Sequence, residues 1–142
     1  MAHDNPMTQD MAKDDNGQTK RNTVILVEDD KTLRSRMARA LTTRGFLVLE
    51  AATCESALNL ARHVAVQFAL VDVQLGRESG IELVRGLASM DPTMTIVVCS
   101  GRLSADVARA ARAAGATAVL CKPVTLDDIL DALPAPAKRP PR

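Results

Sequence analysis

Five short, mostly aliphatic runs recur along the chain, at residues 24–27, 46–50, 68–72, 95–100 and 117–121, with little polar alternation inside most of them. A strand with one face in water alternates apolar and polar residues, so an unbroken run points to a strand covered on both faces, as in a parallel sheet flanked by helices. The segments between the runs carry a helical period instead: Leu33, Met37, Ala40 and Leu41; Ala57, Leu60 and Ala61; Ile81, Val84, Leu87 and Ala88; Val107, Ala110, Ala111 and Ala114; Leu126, Ile129, Leu130 and Leu133. Gly45 and Gly115 stand where a left-handed residue closes a helix, and Asp91-Pro92 stops the third helix because proline lacks a donor and restricts its predecessor. Crossovers of this length allow the usual parallel connection. The expected fold is α/β: five strands and five helices in three layers.

In such a sheet the carboxyl ends of the strands share one rim. Glu28 and Asp29 follow the first run, Asp72 closes the third, Ser100 the fourth, and Lys122 follows the fifth. Carboxylates brought together repel one another unless a cation lies between them, and an all-oxygen site with few protein ligands suits Mg2+. We assign direct ligation to the carboxylates of Asp29 and Asp72 and the backbone carbonyl of Gln74, with Glu28 acting mainly through water. Asp30 reads as a helix N-cap, a role Asp29 could share. Asp72 is then the nucleophile in a phosphoryl transfer, with the Lys122 ammonium and Ser100 hydroxyl on the phosphoryl oxygens. The product is an acyl phosphate. Pro123 limits where Lys122 can point, and the bond between them is a candidate for the cis form.

At 142 residues the chain is one domain's worth. Cys54, Cys99 and Cys121 lie singly in apolar segments, which suggests buried thiols in a reducing cytoplasm and no zinc or redox motif. No apolar run approaches the roughly 18 residues of a membrane span, and the polar start lacks the regions of a secretion signal. Residues 1–22 read as a flexible tail and 134–142, with four prolines, as a stiff tail or linker. The net charge of +1 is unevenly placed: Lys138, Arg139 and Arg142 make the C-terminal segment +3, and residues 23–133 stand at −1. A nearly neutral domain has no electrostatic reason to hold a nucleic-acid backbone. No glycine-rich phosphate loop follows the first strand. His3 and His63 lie off the acidic rim.

These residues together resemble the receiver domain of two-component response regulators over residues 23–133. By that likeness Glu28 and Asp29 match the acidic metal pair, Asp72 the phospho-acceptor, Ser100 the family's Ser/Thr and Lys122 its lysine before proline, with Gly80 eight residues beyond the acceptor. The resemblance implies a doubly wound, flavodoxin-like three-layer sandwich with strand order 2-1-3-4-5. It also implies phosphoryl transfer from a histidine kinase or phosphotransfer protein, self-catalysed phosphorylation and dephosphorylation, and a switched surface on helix 4, strand 5 and helix 5. Residues 44–46, 61–62 and the proline-rich end are similar to the redox and photosynthesis global regulators of proteobacteria, in which prolines lead to a Fis-like DNA-binding domain. DNA binding here would require a further domain beyond residue 142.

Three departures from the family pattern bear on mechanism. Val119 occupies the position of an inward-turning aromatic, Gly76 replaces a loop proline and is expected to loosen residues 73–79, and Val124 follows Lys122-Pro123 where an aromatic is common. Gln74 and Arg102, each two residues beyond a rim residue, are candidates for tuning phosphate lifetime. Leu33, Arg34 and Met37 lie near the rim, where a phosphodonor helix would dock. Arg102, Arg109 and Arg112 on the fourth helix, opposite Asp127, Asp128 and Asp131 on the fifth, make a homodimer a candidate. Two other functions remain open. Val119 keeps a phosphorylation-independent interaction module in view, whereas an aspartyl-phosphate hydrolase wants an aspartate where this chain has Gln74.

Overall fold

Each apolar run forms a strand in the computed structural model, which describes residues 22–133. The strands are β1 (Thr23–Val27), β2 (Leu47–Ala51), β3 (Phe68–Asp72), β4 (Thr95–Ser100) and β5 (Ala118–Cys121). All pair in parallel, in the order β2-β1-β3-β4-β5. Helices α1 (Lys31–Thr42), α2 (Cys54–His63), α3 (Gly80–Met90), α4 (Ala105–Ala114) and α5 (Leu126–Ala132) connect and flank them. This is the flavodoxin-like α/β arrangement expected. The proposed tails lie outside the described residues except for Asn22, which is buried and accepts the Leu47 N–H through its carbonyl at 2.8 Å.

Alternate residues of each strand feed opposite cores, as the two-residue period of a strand requires. Ile25, Val27, Ala69, Val71, Ile96 and Val98 face α2, α3 and α4. Val24, Leu26, Phe68, Leu70, Val97 and Cys99 face α1 and α5, where the rings of Phe46 and Phe68 meet edge to face at 5.9 Å. Each large aliphatic side chain so buried contributes about 1.5–3 kcal/mol. Burial is not uniform across the sheet. β1 and β3 are buried throughout, whereas β2 and β5 are edge strands with one neighbour each and are half-buried over most of their length.

The expectation of three buried thiols is corrected, for Cys121 by this same edge position and for Cys54 by its place at a helix start. Only Cys99, on inner strand β4, is buried; Cys54 opens α2 and is half-buried, and Cys121 ends β5 and is exposed.

Every helix starts on a side-chain cap at the carboxyl rim of the sheet. Asp30, Thr53, Ser79, Ser104 and Thr125 accept backbone N–H groups of α1 to α5, and Thr125 forms a reciprocal capping box with Asp128. Such a cap stabilises a helix by about 1 kcal/mol. Asp91 closes α3 just before Pro92. Gly115 caps α4 at φ +123°, where a side chain would also press on Ala88.

The segment after β3 is tied rather than loosened. Residues 74–75 and 78–79 pair as a small antiparallel hairpin, and Gly76, at φ +60°, fills the first position of its two-residue turn, which demands that backbone shape. Arg102 lies in the loop before α4 rather than on the helix. No helix among the described residues is long and apolar enough to cross a membrane.

Candidate functional site

Four chain segments meet at the carboxyl rim because β1, β3 and β4 are adjacent in the sheet, with β5 beyond β4. Carboxylate oxygens of Glu28, Asp29 and Asp72 all lie within 4.8 Å of one another. The Lys122 ammonium reaches across from β5, at 2.8 Å from Asp72 Oδ2 and 3.4 Å from Glu28 Oε1. The remaining oxygens are also engaged: Glu28 Oε2 accepts the Asp30 N–H at 3.1 Å, and Asp72 Oδ1 accepts the Gln74 N–H at 3.1 Å. Ser100, one strand over, is 4% exposed, and its Oγ accepts the Arg102 N–H at 3.2 Å. That leaves the hydroxyl proton available to an incoming oxygen.

Glu28 and Asp72 are buried, at 5% and 8% exposure, while Asp29 is open to solvent. Burial pushes the Glu28 carboxyl above its ordinary pKa and the Asp72 charge adds to the rise; the Asp30 N–H and Lys122 pull the other way. Burial alone would lower the pKa of Lys122. The hydrogen bond and charge of Asp72, with the charge of Glu28, outweigh it and hold the ammonium protonated above its usual range.

Two hollows flank Asp72. A cleft of about 700 Å³ is lined by Asp29, Asp72, Gln74, Ser100, Arg102 and Lys122, so both residues expected to tune phosphate lifetime border it. On the other side an apolar cavity of about 460 Å³ runs between Leu33 and Met37 of α1 and the Pro123-Val124 turn. The Lys122–Pro123 peptide is cis. Gly80 opens α3 directly against β3: any Cβ there would overlap the Asp72 carbonyl, and its N–H bonds the Val73 carbonyl at 2.6 Å.

The donor set fits a small, hard divalent cation. Three carboxylates face one ammonium, which leaves two negative charges unmatched when all are ionised, and the open Asp29 borders the cleft. Gln74 stands beside this cluster, its N–H on Asp72 and the Gly76 turn near Asp29 Oδ2. His63 lies at the end of α2, bonded to the Asn59 carbonyl, and His3 falls outside the described residues. Val119 packs, half-buried, into the core beside α4.

Three contacts escaped the sequence reading. Arg34 turns back onto the Glu28 carbonyl at 2.8 Å and onto Glu50 at 3.2 Å, and Glu78 of the hairpin accepts the Cys54 N–H at 3.0 Å. The Arg34–Glu50 and Cys54–Glu78 contacts have no sequence signal, since the fold alone brings those distant partners together, and the Arg34–Glu28 bond depends on the arginine folding back across the turn.

The response regulator receiver domain family matches residues 24–134. The chain is 36% identical over 110 residues to the photosynthetic apparatus regulatory protein RegA of Rhodobacter capsulatus, covering 78% of this chain and 60% of that one. It is 37% identical over 105 residues to a cyclic di-GMP phosphodiesterase of Thermotoga maritima, covering 74% of this chain and 28% of the relative. The chain thus spans less than two thirds of the length of either curated relative. A response regulator of Burkholderia pseudomallei, solved with a phosphorylated aspartic acid, calcium ion and citrate, superposes with a TM-score of 0.77 at 33% identity over 82% of this chain and 68% of that one. A CheY-like receiver domain of Methanospirillum hungatei gives 0.75 at 27% identity over 79% and 90%. The acidic cluster is of the kind that holds Mg2+ in receiver domains, and such a domain accepts a phosphoryl group on an aspartate and so modulates downstream interactions. On its sequence, its strand order and this cluster, the chain belongs to the response regulator receiver domain family.

Proposed function

We propose that Asp72 is the phospho-acceptor and that the phosphoryl group comes from the phosphohistidine of a sensor histidine kinase or phosphotransfer protein. The observation that carries this reading is the convergence of Glu28, Asp29 and Asp72 within 4.8 Å, with the Lys122 ammonium 2.8 Å from Asp72. Asp29, Asp72 and the Gln74 carbonyl would hold Mg2+, with Glu28 acting through water. When bound, Mg2+ neutralises charge on the phosphoryl oxygens.

The residues of the chain supply the rest. An oxygen of Asp72 forms a bond to phosphorus as the phosphorus–nitrogen bond of the phosphohistidine breaks, and the electron pair leaves with the imidazole. Lys122 exchanges its bond to Asp72 for one to a phosphoryl oxygen. Ser100 donates its hydroxyl proton to another, which explains why a buried serine keeps its proton free. Gln74 and Arg102 border the cleft through which water would reach the acyl phosphate, and their side chains set its lifetime.

The output surface in this reading is α4, β5 and α5, where Val119 offers no ring to rotate and the response proceeds by backbone shift and repacking. A homodimer through the same face, and DNA binding through a domain beyond residue 142, are the finer assignments that we attach to it. Three free thiols suit a reducing cytoplasm.

Incubation with Mg2+ and acetyl phosphate, followed by intact mass measurement, tests the assignment. One added phosphoryl group is expected, absent without Mg2+ and absent in Asp72→Asn. An unchanged wild-type mass across small donors and a phosphohistidine protein would leave a phosphorylation-independent interaction module.

A further inference from the structure

We propose that Arg34 is a positioning residue for the metal site: its guanidinium holds the β1–α1 turn so that Glu28 and Asp29 stand where a cation can use them. The inference rests on the Mg2+ reading above and adds a residue to it. Arg34 lies in the first turn of α1 but points back, its side chain only 16% exposed. Nη1 donates to the Glu28 carbonyl at 2.8 Å and Nε to Glu50 Oε1 on edge strand β2 at 3.2 Å. Glu28 is held at four points: Asp30 and Lys122 engage its two carboxylate oxygens, its N–H donates to the Ala51 carbonyl at 3.1 Å, and Arg34 supplies the one bond to its carbonyl. A planar guanidinium can serve the carbonyl and Glu50 together from one fixed fork; an ammonium, with its single nitrogen, spans both poorly.

The sign of the effect separates positioning from charge. A cation beside an acidic cluster repels Mg2+, so if Arg34 acted only through its charge, removing it would tighten metal binding. As a positioning residue its removal loosens binding, because the turn that carries Glu28 and Asp29 keeps the Glu28 N–H on Ala51 but loses its hold on the Glu28 carbonyl, the side nearer Asp29. Residues that hold ligands in place from behind typically change metal affinity by about tenfold or more when removed.

The experiment is calorimetric titration of the unphosphorylated full chain with Mg2+ alone, for wild type, Arg34→Met, Arg34→Lys and Glu50→Gln, with a urea unfolding curve for each. Arg34→Met is expected to weaken Mg2+ binding about tenfold. Arg34→Lys, at unchanged charge, recovers only part of the loss, and Glu50→Gln falls between it and wild type. A merely structural arginine would lower the unfolding midpoint and leave the affinity of the folded protein unchanged. If Arg34→Met does not fold, Arg34→Lys decides: a several-fold loss supports the inference and wild-type affinity overturns it. Wild type that binds Mg2+ while Arg34→Met binds it equally or more tightly overturns this inference alone. Wild type that takes up no Mg2+ overturns the metal reading and the inference with it.

Discussion

Helices α3 and α4 lie against the same face of the sheet but are fastened to it by different means. α3 buries Leu83, Val84 and Leu87 and starts with bare glycine backbone against β3. α4 buries only Ala111 and Ala114, and the strand beside it, β5, is a half-buried edge. Since burial scales with apolar area, the helix next to Asp72 is held by several kcal/mol more than the helix next to Ser100. The half that must keep carboxylates aligned is anchored, and the half assigned to output is lightly held. Elements that move are drawn from the weakly held end of a structure.

The comparison can be broken most directly in the anchored half. Leu87→Ala in α3 is expected to cost about 2–5 kcal/mol of unfolding free energy, measured in urea. A loss no larger than that of a comparable change in α4 would remove the contrast.

Cys99 sharpens the comparison from the strand between the halves, through pH. Burial pushes its thiol from 9.0 up to about 12, so the unfolded chain loses this proton first. The stability that the thiol confers is fully present below pH 9.0 and is lost as pH climbs toward 12, at about 1.4 kcal/mol per pH unit. Lys122, with its own raised pKa, adds loss in the same direction above pH 10.5. Unfolding curves from pH 8 to 11 should therefore fall less steeply for Cys99→Ala than for wild type; parallel slopes would mean that the thiol is not shielded.

Two smaller effects belong to α4. Its amides should exchange with solvent at least about tenfold faster than those of α3 under native conditions, a gap of about 1.4 kcal/mol or more in opening free energy. Equal protection would show α4 to be as firmly seated as its neighbour. Ser104→Ala, which deletes the α4 cap, should cost about 1 kcal/mol in urea unfolding while leaving Mg2+ affinity unchanged.

How much of this was readable beforehand depends on whether a feature is local. Strand and helix positions follow from the apolar period, and the caps from single residues such as Asp30 and the Asp91-Pro92 stop, because each is decided within a few neighbours. The rim residues are legible for a related reason: a parallel sheet sends every strand end to the same edge. What escaped depends on which strand lies beside which. Cys99 and Cys121 sit in similar apolar runs, yet one is on an inner strand and the other on an edge. Arg34 and Glu50 meet only because β2 pairs with β1, and the Gly76 hairpin exists because Leu75 is buried in the core while Gln74 bonds Asp72.

The alanine face of α4 has a consequence for how such a chain could diversify. Ala105, Arg109, Ala110, Arg112 and Ala113 are exposed, so a mutational drift that rewrites them to suit a new interlocutor need not disturb the interior. That outer face is therefore cheap to edit, while the chemistry at the carboxyl rim beside the start of the helix is left as it was.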